Sequence, residues 1–215
     1  MPNSNILEIL LNAVGSTHAR ISNSAWACSF EQCVLLGIYS PTLTHDINMR
    51  TKEGASALHC AVIGNHKANV ELLLDQNEMD VNIELKDKNT ALLYAVGCAS
   101  ADIVKLLLER KDIDVNCADA DGKTALMLAI SRHNHSIVKM LLECRMLDIN
   151  KVDKFGITAL LLAVKLSQKE TVNLLLKSTE LDINHLDKYG RDALTIALET
   201  GVTDIFELLL NYKKY

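Results

Sequence analysis

Proline, glycine and aromatic residues are scarce in this 215-residue chain, which has two prolines, nine glycines and 4% aromatic side chains. So few prolines and glycines argue against a disordered or loop-rich protein. The hydrophobic content is nevertheless 49%, so the chain can bury a continuous core. Because aromatic residues are few, Leu, Ile, Val and Ala must build that core.

An excess of positive charge is also missing, since the formal net charge is −5. The chain therefore offers no general attraction to phosphate backbones or anionic membranes. No apolar stretch reaches the roughly 18 residues of a membrane span. The first twenty residues carry no basic leader, and Glu8 interrupts their apolar run. We expect a soluble cytoplasmic protein, with the nucleus as the alternative, and neither membrane insertion nor a nucleic-acid partner.

Paired cysteines and catalytic motifs are absent as well. The six cysteines form no Cys-x-x-Cys pair, which disfavours a zinc site and leaves free thiols in a reducing compartment as the better interpretation. Cys98 and Cys144 are candidates for exposed thiols. No nucleophile has an evident activating base, and no Gly-rich phosphate loop occurs. We expect no enzyme activity, metal, cofactor or small-molecule substrate.

What the chain does contain is a repeated unit. An Asp-(Ile/Val)-Asn triplet recurs every 34 residues, and its first residues are Asp46, Asp80, Asp114, Asp148 and Asp182. Self-similarity at this period indicates a stacked array of repeats. The predicted units, repeats one to five, are 46–79, 80–113, 114–147, 148–181 and 182–215.

Each unit has the same internal order of turn, cap and two short helices. The turn carries a glycine suited to a positive φ angle, at Gly54, Gly122, Gly156 and Gly190, with Lys88 in repeat two. Two residues later stand residues that favour the N-cap of a helix: Ser56, Thr90, Thr124, Thr158 and Asp192. An alanine then recurs on the first helix of every unit, which allows close helix approach.

These units resemble the ankyrin repeat. The resemblance rests on Gly122-Lys123-Thr124-Ala125-Leu126, Ile137-Val138 and Asp114-Val115-Asn116, repeated over residues 46–215. It implies an all-α solenoid of helix-turn-helix units joined by short β-hairpin loops. The family's proline is alanine throughout, and its histidine survives only as His59, which is expected to form a hydrogen bond within its repeat.

Residues 1–45 differ from the repeats and include the only tryptophan, Trp26. Asn5 to Val14 is predicted to form a short helix with apolar residues on one side. We expect this region to be either an irregular helical N-terminal cap or a degenerate repeat.

The resemblance implies that a partner protein binds a concave surface of hairpin tips and inner helices. One tip position changes from acidic residues, Asp87 and Asp121, to aromatic residues, Phe155 and Tyr189. The predicted binding residues, with the apolar ones expected to be exposed, are Val152, Lys154, Phe155, Ile157, Lys165, Leu186, Lys188, Tyr189, Arg191 and Arg132. An alternative is that Phe155 and Tyr189 stack on each other and brace adjacent hairpins.

The asparagines of the triplets have two interpretations. Their side chains can fix the turn by bonding backbone groups. The family resemblance also implies that such residues can be substrates of an oxygen-sensing asparaginyl hydroxylase, with candidates Asn82, Asn116, Asn150 and Asn184.

The predicted function is a non-enzymatic scaffold or adaptor that binds another protein. Two alternatives remain open. The chain could be a regulatory inhibitor that occludes a target's active or docking site, or an effector secreted into a host cell.

Overall fold

The computed structural model describes residues 47–52 and 54–212. The predicted cap or degenerate repeat at 1–45 lies outside the described residues. The described part contains ten helices in five antiparallel pairs: α1 (Ala57–Ile63), α2 (Lys67–Leu74), α3 (Ala91–Gly97), α4 (Ala101–Leu108), α5 (Ala125–Ser131), α6 (His135–Leu142), α7 (Ala159–Lys165), α8 (Lys169–Leu175), α9 (Ala193–Glu199) and α10 (Thr203–Tyr212). None of these helices has the length and apolar character needed to cross a membrane.

The inner helix of every repeat begins at its predicted cap. In four repeats the cap's side-chain oxygen accepts the backbone N–H three residues later, with caps Thr90, Thr124, Thr158 and Asp192. Such a bond satisfies one of the donors that the first turn of a helix leaves without a partner. This matters here because helices α1, α3, α5, α7 and α9 have seven residues each, too few to be stable alone.

Repeat one begins its inner helix with a different arrangement, in which Ser56 contacts His59. The Ser56 Oγ lies 2.9 Å from His59 Nδ1, and the Ser56 backbone N–H donates to the same nitrogen at 3.3 Å. The expected hydrogen bond of His59 within its repeat is therefore confirmed. The ring is buried, and this burial lowers the pKa of His59 to about 4, because a charged ring loses hydration there.

Within the described residues, five other than glycine adopt left-handed backbone conformations. Lys88 has φ 62° in the hairpin where the other repeats have glycine. The other four occupy the turn between inner and outer helix, with φ of 55–57°: Asn65, Ala99, His133 and Ser167. Repeat five has a glycine at this left-handed position, Gly201 with φ 72°. Side chains are strained in this conformation by about 1–2 kcal/mol per residue.

Adjacent hairpins pack backbone to backbone. Gly122 has φ 81°, and a Cβ atom added there would lie 3.1 Å from the Cα of Asp153 in the next hairpin. The Lys154 N–H donates to the Asp121 carbonyl at 2.8 Å, and the Lys188 N–H donates to the Phe155 carbonyl at 3.1 Å. The glycine therefore serves both a positive φ angle and a close approach.

The core runs continuously through the stack. Inner helices α3, α5 and α7 each contact the inner helices on both sides. The small residue predicted on the inner face is buried in every repeat, at Ala61, Ala95, Ala129, Ala163 and Ala197. Each repeat thus buries its apolar face against its neighbours rather than within itself.

The triplet asparagines form a ladder along the stack. Asn82 Nδ2 donates to the Asp112 carbonyl at 2.7 Å, and its Oδ1 accepts the Asp114 N–H at 2.8 Å. Asn48, Asn116 and Asn150 make the same pair of bonds to the following turn. The predicted role in fixing turns is confirmed, with the addition that each asparagine ties one repeat to the next.

One interface contains a buried polar network. Gln168 Nε2 donates to the Ile130 carbonyl at 2.7 Å, the Thr171 hydroxyl donates to Gln168 Oε1 at 2.9 Å, and Thr171 Oγ1 lies 3.0 Å from His135 Nδ1. Gln168 and Thr171 are both buried. Because the single hydroxyl proton of Thr171 is given to Gln168, His135 must carry its proton on Nδ1 to complete the network. These side chains join repeats three and four.

Candidate protein-binding surface

Four of the five apolar candidates are exposed on adjacent hairpins, as predicted. They are Val152 and Phe155 in repeat four and Leu186 and Tyr189 in repeat five. Phe155 is 46% exposed and Tyr189 is 71% exposed, although aromatic side chains usually bury most of their area. We call these four residues the hydrophobic patch.

The prediction that Ile157 is exposed is wrong, because its side chain is 6% exposed and belongs to the core. Its N–H donates to Asp153 Oδ1 at 2.9 Å, and its carbonyl accepts the Asp153 N–H at 3.0 Å. Both backbone groups are thus held across the hairpin, which places the side chain beside the buried cap Thr158. We remove Ile157 from the candidate surface.

The Phe155 ring is accompanied by a cation that the neighbouring repeat holds in place. Lys154 Nζ lies 5.1 Å from the centre of the Phe155 ring and 2.7 Å from Asp121 Oδ1. The hydrogen bond between them raises the pKa of Lys154 and lowers that of Asp121. The ring therefore sits beside an ordered ammonium group, a favourable cation–π arrangement.

Tyr189 has the same kind of neighbour, supplied within repeat five. The Arg191 guanidinium lies 5.1 Å from the Tyr189 ring centre. Its Nε and one terminal nitrogen donate to Asp187 Oδ2 at 2.9 and 2.8 Å, and the other donates to Glu199 Oε2 at 3.0 Å. Two ion pairs therefore hold this guanidinium in one orientation.

Asp187 organises the hairpin from inside. Its Oδ1 accepts the N–H groups of Tyr189 and Arg191 at 2.8 and 3.0 Å. Burial alone would raise the pKa of Asp187, but the hydrogen bonds from Arg191 and Tyr189 outweigh burial and bring the pKa below its usual value. The buried carboxylate is thus ionised and fixes both backbone and side chain at the patch.

Equivalent aspartates were missed by the sequence reasoning. Asp119 and Asp153 also accept two backbone N–H groups each in their own hairpins. The sequence does indicate these aspartates, because Asp119, Asp153 and Asp187 are 34 residues apart and each precedes the hairpin glycine by three residues. These carboxylates determine the shape of the tips that carry the patch.

The alternative in which Phe155 and Tyr189 stack on each other finds no support. In the described part of the chain the rings of His59 and Tyr94 contact each other edge to face, whereas those of Phe155 and Tyr189 do not. Main-chain hydrogen bonds brace these hairpins instead. The two rings are left as exposed side chains, each beside its own cation.

The other cationic candidates, Lys165, Lys188 and Arg132, form no ion pair within the described part of the chain. Lys165 is the last residue of α7, and Arg132 directly follows α5. Lys188 is exposed in the hairpin next to Tyr189. Among the described residues, Lys165 and Arg132 form no hydrogen bond, ion pair or cation–π contact with the hydrophobic patch, so their part in the surface stays a prediction.

The asparagine candidates for hydroxylation differ in their environment. The side chains of Asn82, Asn116 and Asn150 bond the following turn, whereas Asn184 is exposed and its side-chain amide has no recorded partner among the described residues. Hydroxylation itself stays a prediction. An enzyme acting on Asn82, Asn116 or Asn150 must break the two hydrogen bonds that each side chain makes to the following turn.

Comparisons with known proteins agree with this architecture. A family model described as ankyrin repeats (3 copies) matches residues 3–119, 77–153, 111–185 and 145–215. Among solved structures, the crystal structure of EF0377, an ankyrin repeat protein, is similar with a TM-score of 0.71 and 29% identity. That similarity covers 79% of this chain and 86% of the other. No curated protein matches the chain at a significant level.

Proposed function

Because the chain belongs to the ankyrin repeat family, whose repeats are generally protein–protein interaction modules, we propose that it is a non-enzymatic scaffold or adaptor. Its partner protein binds the hydrophobic patch of repeats four and five. The observation that carries this proposal is the exposure of Val152, Phe155, Leu186 and Tyr189 on two adjacent hairpins.

The patch has the composition of a binding site rather than of ordinary surface. Contiguous exposed apolar side chains with a polar rim mark interaction sites, and aromatic anchors supply much of the affinity of protein interfaces. Because Asp121 holds Lys154 and Asp187 holds Arg191, the groups beside both rings are already ordered. A partner therefore loses little side-chain entropy on this side of the interface.

The charges around the patch favour a partner with acidic groups beside its apolar residues. Lys154 and Arg191 are already paired with carboxylates, so they contribute mainly shape and cation–π contact. Lys188, beside Tyr189, is exposed and forms no ion pair with the described residues, so it adds positive charge at the patch. Charge complementarity of this kind raises association rates and selects partners.

We place this scaffold in the cytoplasm or nucleus. The cysteines in the described part, Cys60, Cys98, Cys117 and Cys144, are free thiols. Free thiols persist in reducing compartments, which supports an intracellular location.

The proposal is tested by replacing both Phe155 and Tyr189 with Ala in the full chain. A matched control replaces Leu72 and Met146, which are exposed apolar residues outside the patch. Proteins captured from a cell lysate by the unchanged chain are identified by mass spectrometry, and the captured partner's affinity is then measured for both variants. We expect the patch variant to lose binding and the control to retain it, with similar melting temperatures. Equal binding by the patch variant would remove the patch from the interface.

A further inference from the structure

Arg110 of repeat two binds the C-terminal end of α2 and the turn that follows it in repeat one. Arg110 donates to the carbonyl oxygens of Leu74, Gln76 and Met79 at 2.6, 3.3 and 3.4 Å. It also forms a two-point bond with the Asp112 carboxylate, at 2.9 and 2.8 Å. One guanidinium thus satisfies three carbonyls at a helix C-terminus, where the helix dipole favours a cation.

The same backbone turn recurs two repeats later. The Met79 N–H donates to the Gln76 carbonyl at 3.2 Å, and the equivalent bond from Leu147 to Cys144 is also 3.2 Å. The asparagine bonds that close these two turns match as well, at 2.7 Å for Asn48 and 2.6 Å for Asn116. The carbonyls of Leu142, Cys144 and Leu147 therefore correspond to those of Leu74, Gln76 and Met79.

The arginine itself does not recur. Two 34-residue repeats after Arg110 stands Ser178, and two repeats after Asp112 stands Glu180. A cleft of about 550 Å³ opens at this point, and its lining includes Leu142, Cys144, Leu147, Ser178 and Glu180. The cleft between repeats three and four thus keeps residues equivalent to all of Arg110's partners, while a serine replaces the arginine.

The other repeat interfaces do not keep this set. Between repeats two and three, Cys144 takes the position of Arg110, and Met146 takes the position of Asp112, so the carboxylate is missing. Between repeats four and five, Tyr212 takes the position of Arg110. The cleft between repeats three and four therefore combines three carbonyl groups and one carboxylate with a small residue at the position of Arg110.

We propose that this cleft binds the guanidinium group of an arginine side chain from a partner protein. A guanidinium presents several N–H donors in a fixed plane, which suits several carbonyls together with a carboxylate. The lysine ammonium is a compact charge and cannot reproduce that fork. The Arg110 site provides, within the same chain, the arrangement that the incoming group would adopt.

The charged residues at the rim of the cleft indicate which residues flank the bound arginine in the partner protein. The lining includes the cations Lys139, Arg145 and Lys177 and the acids Glu143 and Glu180, a surplus of one positive charge. A bare cation would therefore be repelled at the entrance. Acidic residues next to the arginine would pair with the rim lysines, so the segment recognised is an arginine flanked by Asp or Glu.

The cleft and the hydrophobic patch share no residue, so each can be tested without the other. The probe for the cleft is the capped peptide acetyl-Glu-Arg-Glu-amide, titrated into the ¹⁵N-labelled full chain. We expect saturable shifts of the backbone amides in 142–147 and 178–180. Acetyl-Glu-Lys-Glu-amide serves as control, and we expect it to bind about tenfold more weakly, since it loses one or more charge-assisted hydrogen bonds.

Two variants locate the site. Ser178→Arg places a guanidinium of the chain itself in the cleft. Peptide binding should therefore be lost, and the melting temperature should rise because the new side chain bonds the carbonyls as Arg110 does. Arg110→Ser vacates the equivalent site of repeats one and two, whose rim carries Glu71, Asp75 and Glu109 at the positions of Lys139, Glu143 and Lys177. Because this acidic rim repels the flanking glutamates, the probe for the vacated site is acetyl-Gly-Arg-Gly-amide, which should shift the backbone amides in 74–79 and 110–112. If Arg110→Ser fails to fold, Ser178→Arg still decides the question. Equal binding of the two peptides, binding that survives Ser178→Arg, or no saturable shift with the arginine peptide would each overturn the proposal.

Discussion

Asn116 joins repeat three to repeat four through the Asp148 backbone, because its Oδ1 accepts the Asp148 N–H at 2.7 Å. Its Nδ2 also donates to the Met146 carbonyl at 2.6 Å. Asn116 in turn is oriented by its own repeat, since its N–H donates to Asp114 Oδ1 at 2.9 Å. One side chain therefore holds the turn that sets the spacing between two repeats.

We expect Asn116→Ala to lower the free energy of unfolding by about 2 kcal/mol, because two hydrogen bonds of about 1 kcal/mol each are lost. Urea unfolding followed by circular dichroism measures the change. Asn184→Ala is the matched control, since within the described part of the chain the Asn184 side-chain amide forms no hydrogen bond. An equal loss in both variants would contradict a role for the bonds to the following turn.

Ala99→Gly should stabilise the protein by about 0.5–1 kcal/mol. Ala99 is exposed and has φ 56°, a conformation that strains a residue with a Cβ atom, whereas glycine adopts it freely. Ala68→Gly provides the opposite control, because Ala68 is exposed within helix α2 and glycine there costs up to about 1 kcal/mol. Denaturant midpoints that shift in the same direction for both substitutions would refute this account.

The burial of His59 predicts a specific pH dependence. Its pKa is about 4 in the folded chain, against an ordinary value of 6.5, so the unfolded chain takes up the proton first as the pH falls. Stability is therefore unaffected by His59 above pH 6.5 and decreases between pH 6.5 and 4, by on the order of 3 kcal/mol.

Two measurements check this behaviour. A proton NMR titration of the His59 ring should give a midpoint near pH 4 while the chain remains folded. In urea unfolding, the loss of stability over this pH window should be smaller in His59→Gln, which cannot take up the proton. A titration midpoint at the ordinary value would show that the ring is hydrated rather than buried.

Thiol labelling should separate two cysteines. Cys117 is buried with its Sγ 3.1 Å from Thr90 Oγ1, and burial raises its pKa to about 11. Its thiolate fraction at neutral pH is therefore about 100-fold below that of an ordinary thiol, and the reagent must also reach it. Cys98 is exposed and should be modified first. Mass spectrometry of digested samples follows both sites, and comparable rates in the folded protein would rule out the buried position of Cys117.

The repeated backbone features could be predicted from the sequence because they recur with the 34-residue period. The caps and the hairpin glycines each appear at four or five equivalent positions, so one unit supports the assignment of the next. The same period identifies a left-handed position even where the residue is Lys88. Exposure at Cys98 is also as predicted, whereas Cys144 is only partly accessible.

Features that depend on the direction of a side chain could not be predicted from the 34-residue period. Ile157 stands beside exposed patch residues in the sequence, yet its backbone bonds to Asp153 direct it into the core. The pairing of Lys154 with Asp121 depends on the distance between neighbouring hairpins rather than on any motif. The role of Arg110 required knowing which carbonyls the turn after α2 presents. All three depend on how one repeat is placed on another.

The polar network of Gln168, Thr171 and His135 has a consequence for the order of the repeats. If repeat four were transplanted to follow repeat two, Thr171 would face Ala101 in place of His135, and a buried hydroxyl would lose a partner. Apolar interfaces tolerate such exchanges better than buried polar ones, because an unsatisfied polar group is costly. Repeats three and four are therefore a matched pair, and exchanging either one alone should destabilise the array, although every unit follows the same pattern.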